Sequence, residues 1–277
     1  MPMVCQRRSS RKPLPMELIN TLILAITSTL EQAITQASLD PYDILIVTLV
    51  ITMGGILQAA TGLGAGLFIV PLIALISLDF IPGPFVFGSL SISLMMMVHE
   101  RQHIKIDGLS RLIIGMMVGV ILATTLITIM PTHLLGILFG IMILAAVGLS
   151  LKGHRIVETR NTLLGVGSIA GFMGASVGFG APILALLYQD ESGPRLRATL
   201  ALLYFTGAIM ILIALHLANH FGPTELTLGC LLIPGFIIGL LIAQRLAYLL
   251  DKGYTRNAVL IIATLSAITL ITKSLTA

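Results

Sequence analysis

Long apolar runs separated by short polar segments occupy most of the chain after its first forty residues. A transmembrane helix needs about 20 apolar residues, so the longer runs predict membrane-spanning helices. The shorter runs cannot cross a bilayer unaided, and they flank glycine clusters at 62–66 and 178–182, which predicts broken or re-entrant helices. The pattern predicts an all-α integral membrane protein with about ten transmembrane or half-membrane helices. The runs lie near 43–61, 65–80, 84–98, 109–130, 133–151, 162–177, 181–189, 196–218, 226–249 and 257–272.

A repeat relates the two halves of the chain. Gly55–Gly66 aligns with Gly171–Pro182, and five of the twelve positions are identical. Two further blocks recur in the same order, which indicates an internal duplication. We predict membrane repeat 1 over residues 43–152 and membrane repeat 2 over residues 162–273. The further blocks are Gly83-Pro84 with Gly193-Pro194, and Leu112–Gly119 with Leu232–Gly239.

Lysine and arginine are distributed unequally between alternate loops. Eleven of them lie on one predicted side, whereas the loops at 79–84, 131–132 and 219–225 have none. By the positive-inside rule, the basic side of this multi-pass chain is cytoplasmic. Because each half has five runs, the two repeats must be inverted with respect to each other. The eleven basic residues are Arg101, Lys105, Arg111, Lys152, Arg155, Arg160, Arg195, Arg197, Arg245, Lys252 and Arg256.

Residues 1–40 depart from this pattern, because a basic head precedes a short apolar run at 18–30. This combination is typical of a signal peptide or a signal anchor. Two alternative interpretations are an amphipathic surface helix and an over-long start with Met16 as the true initiator. The basic head consists of Arg7, Arg8, Arg11 and Lys12.

The two glycine clusters are the strongest candidates for a binding site. In transporters built from inverted repeats, discontinuous helices point their N-termini at the substrate, where unpaired N–H groups favour an anion. Close helix packing explains either cluster alone, but recurrence in both halves favours binding. We predict that backbone N–H groups around Gly64–Gly66 and Gly180–Ala181 bind the anion, assisted by neutral side chains. The candidate substrate-binding residues are Gln58, Thr61, Gly62, Gly64, Ala65, Gly66, Ser176, Gly178, Gly180, Ala181 and Pro182.

Composition narrows the class of protein. Hydrophobic residues make up 56% of the 277, charged residues only 10%, and the mean hydropathy is +1.03, which excludes a soluble globular domain. Basic loops beside a membrane explain the formal charge of +4, so no nucleic-acid partner is expected. The expected partners are the lipid bilayer and a small anionic substrate, and a homo-oligomer is left open.

Motifs for cofactor or metal chemistry are missing from the sequence. No lysine follows the Gly-Lys-Ser/Thr pattern of a phosphate-binding loop, and Cys5 and Cys230 have no metal-site spacing. We therefore expect no cofactor and no metal. All twelve acidic residues lie at run ends, in loops or in the N-terminal segment, whereas a proton relay places carboxylates inside helices. An anion leaving the cell gains about 2.3 kcal/mol per charge per 100 mV of inside-negative potential, so the pattern favours export.

The sequence matches one enzyme motif. Gly174–Gly178 matches Gly-x-Ser-x-Gly, the nucleophile elbow, and His216 or His220 could supply the base of an intramembrane serine protease. That elbow needs a turn from a strand to a helix, and no strand is predicted here. The protease is a remote alternative, and we expect the chain not to be an enzyme.

The glycine clusters also carry a family resemblance. Gly62–Gly66 with Pro71, and Gly178–Pro182, are similar to the glycine-rich break and early proline of the sulfite exporter TauE/SafE family, also called the toluene sulfonate uptake permease family. The similarity continues through His99–Asp107 and covers roughly residues 43–273. It implies an inner-membrane permease for sulfur-containing anions such as sulfite or organosulfonates, with the two breaks as the substrate region. The main alternative is a drug/metabolite-type transporter of neutral or cationic solutes, which also has ten helices in inverted repeats.

Overall fold

Helices make up all the regular secondary structure in the part of the chain that the computed structural model describes. That part comprises residues 40–62, 66–130, 132–152, 156–250, 261, 263–269 and 271–272. The prediction for the N-terminal segment lies outside it. The helices are α1 Pro41–Thr61, α2 Gly66–Ile76, α3 Gly83–His99, α4 Leu109–Ile129, α5 Thr132–Lys152, α6 Arg160–Val177, α7 Ala181–Leu187, α8 Gly193–Leu217 and α9 Pro223–Leu250, with helical residues also at 263–269.

The helices follow the predicted apolar runs, and local signals mark where they start. α1 begins after Asp40, whose backbone N–H donates to Asp43 Oδ2 at 3.1 Å. Pro84 and Pro194 lie in the first turn of α3 and α8, where the N–H that proline lacks would have no partner within the helix. The sequence therefore sets these starts locally.

α1 and α6 end in the same way. Gly62 follows α1 with φ +72°, and its N–H donates to the Gln58 carbonyl oxygen at 2.7 Å. Gly178 follows α6 with φ +86°, and its N–H donates to the Gly174 carbonyl oxygen at 2.9 Å. Glycine adopts this left-handed backbone without steric cost. Each glycine stops a helix inside an apolar stretch, and α2 and α7 start shortly afterwards.

Two seams of close helix packing hold the bundle together. α4 lies along α6, where a methyl group added to Gly119 would overlap the carbonyl oxygen of Ser168. α9 lies along α1, where a methyl group added to Gly239 would overlap the backbone of Gly55. α3 contacts both α8 and α9 between the seams. Small residues at these positions let the helix backbones approach closely.

The outer surface of the bundle is apolar. On α4, for example, Ile121 is 55%, Leu122 58% and Ile129 74% exposed, and side chains of this kind face lipid rather than water. Within the described residues, four helices are long and apolar enough to cross a membrane, and three apolar helices are shorter. The four are Tyr42–Thr61, Leu109–Ile129, Gly193–Leu217 and Pro223–Arg245, and the shorter ones are Gly66–Ile76, Gly83–His99 and Ile137–Leu151.

Candidate functional site

A cavity of about 60 Å³ lies where the two helix interruptions meet, and we call it the inner cavity. It is lined by residues of α1, α2, α3, α4, α6, α7 and α8. The start of α2 contacts the second interruption directly, because the space where Gly66 would carry a side chain is occupied by Phe179. A single buried water needs roughly 10–15 Å³ of such space. The inner cavity therefore has room for a small ion.

Five of the predicted binding residues line the inner cavity together. They come from both interruptions, although these are far apart in the sequence, and the amide-bearing residue among them is 4% exposed. Three of the five are glycines, so the backbone itself forms much of this wall. The five are Gln58, Gly66, Gly178, Gly180 and Ala181.

Near the first interruption, two predicted residues hold the end of α1 instead of lining the cavity. Thr61 Oγ1 donates to the carbonyl oxygen one turn back at 2.7 Å. The Gly62 carbonyl oxygen accepts a hydrogen bond from the Tyr204 hydroxyl of α8 at 3.3 Å. Gly64 and Ala65, also predicted here, lie outside the described residues.

At the second interruption, Ser176 and Pro182 are buried but are not among the described residues that line the cavity. The Ser176 hydroxyl has no hydrogen-bond partner in the described part of the chain. His216 lies in the last turn of α8, and both His216 and His220 are exposed. The predicted serine therefore has no base beside it, and the arrangement that a serine protease requires is not formed.

Three polar residues of the inner cavity were not predicted from the sequence: Ser89 and Ser93 of α3, and Tyr204 of α8. Ser89 Oγ donates to the carbonyl oxygen of Val86 at 2.8 Å. Ser93 is 1% exposed, and its hydroxyl has no partner among the described residues. The spacing of the two serines could have indicated that both face the same cavity, because residues four apart share one helix face. The described lining contains hydroxyl and amide groups but no charged side chain.

A second cavity of about 510 Å³ opens at the basic end of the bundle, and we call it the basic-end groove. Its walls come from Ala59 and Ala60 of α1, the last turns of α3, and α9. At its polar edge, Arg197 Nη2 and Nε each lie 2.8 Å from Glu100 Oε1. The aliphatic part of the Arg197 side chain packs against Gly62. One arginine thus contacts both the first interruption and the groove.

A separate group of charges joins three loops at the same end, and we call it the Lys105 network. Lys105 Nζ lies 2.7 Å from Glu158 Oε1, 2.9 Å from Glu191 Oε1 and 5.6 Å from the centre of the Tyr188 ring. Arg195 Nε lies 3.5 Å from Glu191 Oε2.

These contacts shift the pKa values of the network. Burial lowers the pKa of Lys105, but its hydrogen bonds to Glu158 and Glu191 outweigh burial, so the pKa is raised. The hydrogen bond from Lys105 lowers the pKa of Glu191. Burial raises the pKa of Tyr188 to about 12. The network is therefore a charged clamp between the loops that precede α4, α6 and α8.

These features are those of a helical membrane protein. It has an apolar outer surface and a mostly apolar inner cavity whose described lining carries hydroxyl and amide groups but no charged side chain, and no three His, Cys, Asp or Glu side chains in the described residues gather to hold a metal ion. A family model described as "Sulfite exporter TauE/SafE" matches residues 47–270. The chain therefore belongs to this family of permeases and is not an enzyme, so the protease alternative is wrong. No curated protein and no solved structure matches the chain.

Proposed function

We propose that this permease exports small sulfur-containing anions, such as sulfite and organosulfonates, across the plasma membrane, and that the anion binds in the inner cavity. The Ser93 hydroxyl carries the proposal, because it is buried at the cavity wall without a described protein partner. A buried hydroxyl left unpaired costs roughly 1–3 kcal/mol. An anion that accepts a hydrogen bond from Ser93 would remove this cost.

The chemistry of the lining supports an anion over a cation. A buried cation is usually paired with a carboxylate, and the described lining has none. Gly66 is the first residue of α2, and the first N–H groups of a helix have no partner within it. Backbone N–H groups at Gly180 and Ala181 would add to this set. The lack of a carboxylate in the described lining also counts against the cationic substrates of a drug/metabolite-type transporter.

We also propose that residues 43–152 and 162–273 form inverted repeats. The support is reciprocal packing: α4 of the first half lies along α6, which opens the second half, while α9 of the second half lies along α1. α1 and α6 also end at matching glycines with positive φ. Inverted repeats would place the two interruptions at equivalent depths in the membrane.

Single cysteines test this arrangement in intact cells. Asp107→Cys and His220→Cys, each in a background without Cys5 and Cys230, place a thiol at an exposed position in opposite sets of loops. We expect an impermeant thiol reagent to label only the His220 variant from outside. Labelling of both variants from outside would contradict the inverted arrangement, and labelling of the Asp107 variant alone would contradict the predicted orientation.

Sulfite efflux from proteoliposomes tests the function and the site. Ser93→Ala should slow efflux by about fivefold, since one neutral hydrogen bond contributes about 1 kcal/mol. Thr124→Val is the matched control, because the Thr124 hydroxyl is also buried without a described partner but lies outside the described cavity lining. This control should transport normally. Equal loss in both variants would show that Ser93 is not a binding residue.

The direction of transport is tested by the membrane potential. A potential that is negative on the sulfite-loaded side should accelerate efflux of the anion, and its collapse should slow efflux, because each 100 mV contributes about 2.3 kcal/mol per charge. Empty liposomes give the background rate. Sulfite flux that does not exceed this background, or that ignores the potential, would rule out potential-driven sulfite export.

A further inference from the structure

We propose that Arg197 is an anion-capture residue between the basic-end groove and the inner cavity, and that Glu100 occupies it as a tethered competitor of the transported anion. This inference rests on the proposed function, because it takes the ligand to be a small oxyanion of the sulfite or sulfonate class. It adds a second binding position, separate from the uncharged inner cavity.

The side chains of Arg197 and Glu100 are incompletely paired. Both guanidinium contacts, from Nε and from Nη2, go to the same carboxylate oxygen, Glu100 Oε1. The other oxygen, Glu100 Oε2, is buried and has no hydrogen-bond partner among the described residues. Arginine pairs best with a carboxylate through two parallel N–H···O bonds to two oxygens. Only one oxygen of the Glu100 carboxylate thus binds Arg197, and the other oxygen accepts no hydrogen bond from the described residues.

The position of Arg197 also suits it to capture an anion. The inner cavity and the basic-end groove border neighbouring segments of the same helices, since Gln58 lines the first and Ala59 the second, and likewise Ser93 and Leu94. Arg197 lines the groove, and its stem packs on the glycine that ends α1, one turn beyond Gln58 and Ala59. An anion that enters from the basic end therefore meets the guanidinium before it reaches the hydroxyls of the inner cavity.

The chemistry of a guanidinium matches that of a sulfur oxyanion. A sulfite or sulfonate group presents two oxygens at a spacing that the planar edge of a guanidinium can bind at once, whereas the ammonium of a lysine acts as a point charge. Such an anion replaces Glu100 on Arg197 without leaving the guanidinium unpaired. The displaced carboxylate of Glu100 borders the basic-end groove, where water can solvate it. The guanidinium of Arg197 therefore keeps an anionic partner throughout the exchange.

A purely structural ion pair makes a different prediction from a capture site. If the pair only holds α3 to α8, removing either charge weakens the protein, and neither change improves anion binding. If Glu100 competes with the substrate, removing its charge frees Arg197 and improves anion binding. The two roles therefore differ in the sign of the effect at Glu100.

The test is equilibrium binding of radiolabelled sulfite to the purified full-length chain and its variants. Glu100→Gln keeps the size of the side chain and should tighten sulfite binding by at least about threefold. Arg197→Gln should weaken binding by about tenfold or more, and Arg197→Lys should also weaken it because the ammonium lacks the planar fork. The double variant should behave like Arg197→Gln alone, since the competitor acts only through Arg197.

Arg195→Gln is the matched control. It removes the same charge two residues earlier on α8, from a side chain that is 47% exposed and contacts Glu191. Sulfite affinity should change less than twofold, because Arg195 is not among the described residues of the groove. If Arg195→Gln lost as much sulfite affinity as Arg197→Gln, general electrostatic attraction would explain both losses, and the proposal would be overturned.

The outcomes separate this inference from the proposed function. Saturable sulfite binding by the wild-type chain with no tightening in Glu100→Gln overturns the capture role and leaves sulfite transport standing. The same holds if Arg197→Gln binds sulfite normally. Absence of saturable sulfite binding in the wild-type chain and in every variant overturns both. Thermal unfolding of each variant identifies any that are misfolded. If Arg197→Gln is misfolded, sulfite binding by Arg197→Lys tests the same guanidinium contact.

Discussion

At the first interruption, Gly62 faces the side chain of Arg197, which lines the basic-end groove, whereas at the second interruption Gly178 faces the ring of Phe85 inside the core. Both glycines have positive φ, and each ends a helix. Their neighbours differ, however. The residues just before Gly178 are all buried, while Ala59 and Ala60, just before Gly62, border the groove.

This difference shows that a duplicated backbone feature can serve two purposes. The first interruption lies beside the Glu100–Arg197 pair, so it suits the entry of an anion. The second is backed by buried residues of α6, so it suits a rigid wall of the inner cavity. Substitutions at equivalent positions can therefore distinguish the two regions.

The packing beneath the second interruption should be the less tolerant of the two. A methyl group added to Gly171 would overlap the backbone of Met116, whereas one added to the aligned Gly55 would have its nearest neighbours at 3.3–3.5 Å. Gly171→Ala should therefore lower the free energy of unfolding by roughly 1–3 kcal/mol or more, and Gly55→Ala by less. Gly165→Ala, on the same helix with nothing within 4 Å, is the control. Denaturant unfolding in detergent measures all three, and equal losses at Gly171 and Gly55 would erase this distinction.

The two helix-ending glycines should differ in the same direction but by less. Alanine at either position is strained by about 1–2 kcal/mol because of the positive φ. At Gly178 the methyl group must also displace the buried ring of Phe85, whereas at Gly62 it would overlap Arg197 Cγ and approach the Arg197 backbone, in a side chain that is 27% exposed. We expect Gly178→Ala to lower the unfolding temperature more than Gly62→Ala. The reverse order would mean that the first interruption is the more rigid one.

The polar side chains of the two interruptions should differ in transport. Gln58 lines the inner cavity, whereas Ser176 is buried outside its described lining. Gln58→Met keeps the size of the side chain and should slow sulfite efflux by about tenfold, while Ser176→Ala should leave efflux unchanged. Because the Ser176 hydroxyl has no described partner, its removal should also leave stability unchanged or raise it slightly. Slower efflux in Ser176→Ala would place this serine back in the binding site.

The Lys105 network, which follows α7 directly, should give the smallest effect. The folded pKa of Glu191 is lowered, so its contribution to stability is present above the unfolded value of about 4.3 and is lost as the pH falls through the folded value. The folded pKa of Lys105 is raised, so its contribution is present below about 10.4 and is lost as the pH rises through the folded value. Glu191→Gln should lower the free energy of unfolding near neutral pH by less than about 1 kcal/mol.

The pH dependence of unfolding separates this effect from a general loss of packing. In Glu191→Gln the difference from the wild-type chain should shrink toward zero in acid, because protonation has then removed the same charge from the wild type. Asp107→Asn, at an exposed loop position, is the control and should show no such convergence. A difference that is constant with pH would mean that the ion pairs of Glu191 do not contribute to stability.

Local features of the sequence determined the helices and their ends. Apolar runs predicted α1 to α9 because burial in lipid depends on composition and length, not on the neighbouring helix. Gly62 and Gly178 could be recognised as interruptions because the left-handed backbone is a local property of glycine. The family could be recognised for the same reason, since the glycine clusters are short and continuous in sequence, and the matched range of 47–270 falls within the predicted one.

Only the tertiary structure decided which polar groups meet. Ser93 and Tyr204 lie on different helices, and nothing in the apolar runs indicates that both face the cavity beside Gln58. The contact between Glu100 and Arg197 likewise joins residues in different halves of the chain. Such meetings depend on how each helix is rotated about its axis, and in this protein that rotation is fixed by glycines packed against the backbone of a distant helix.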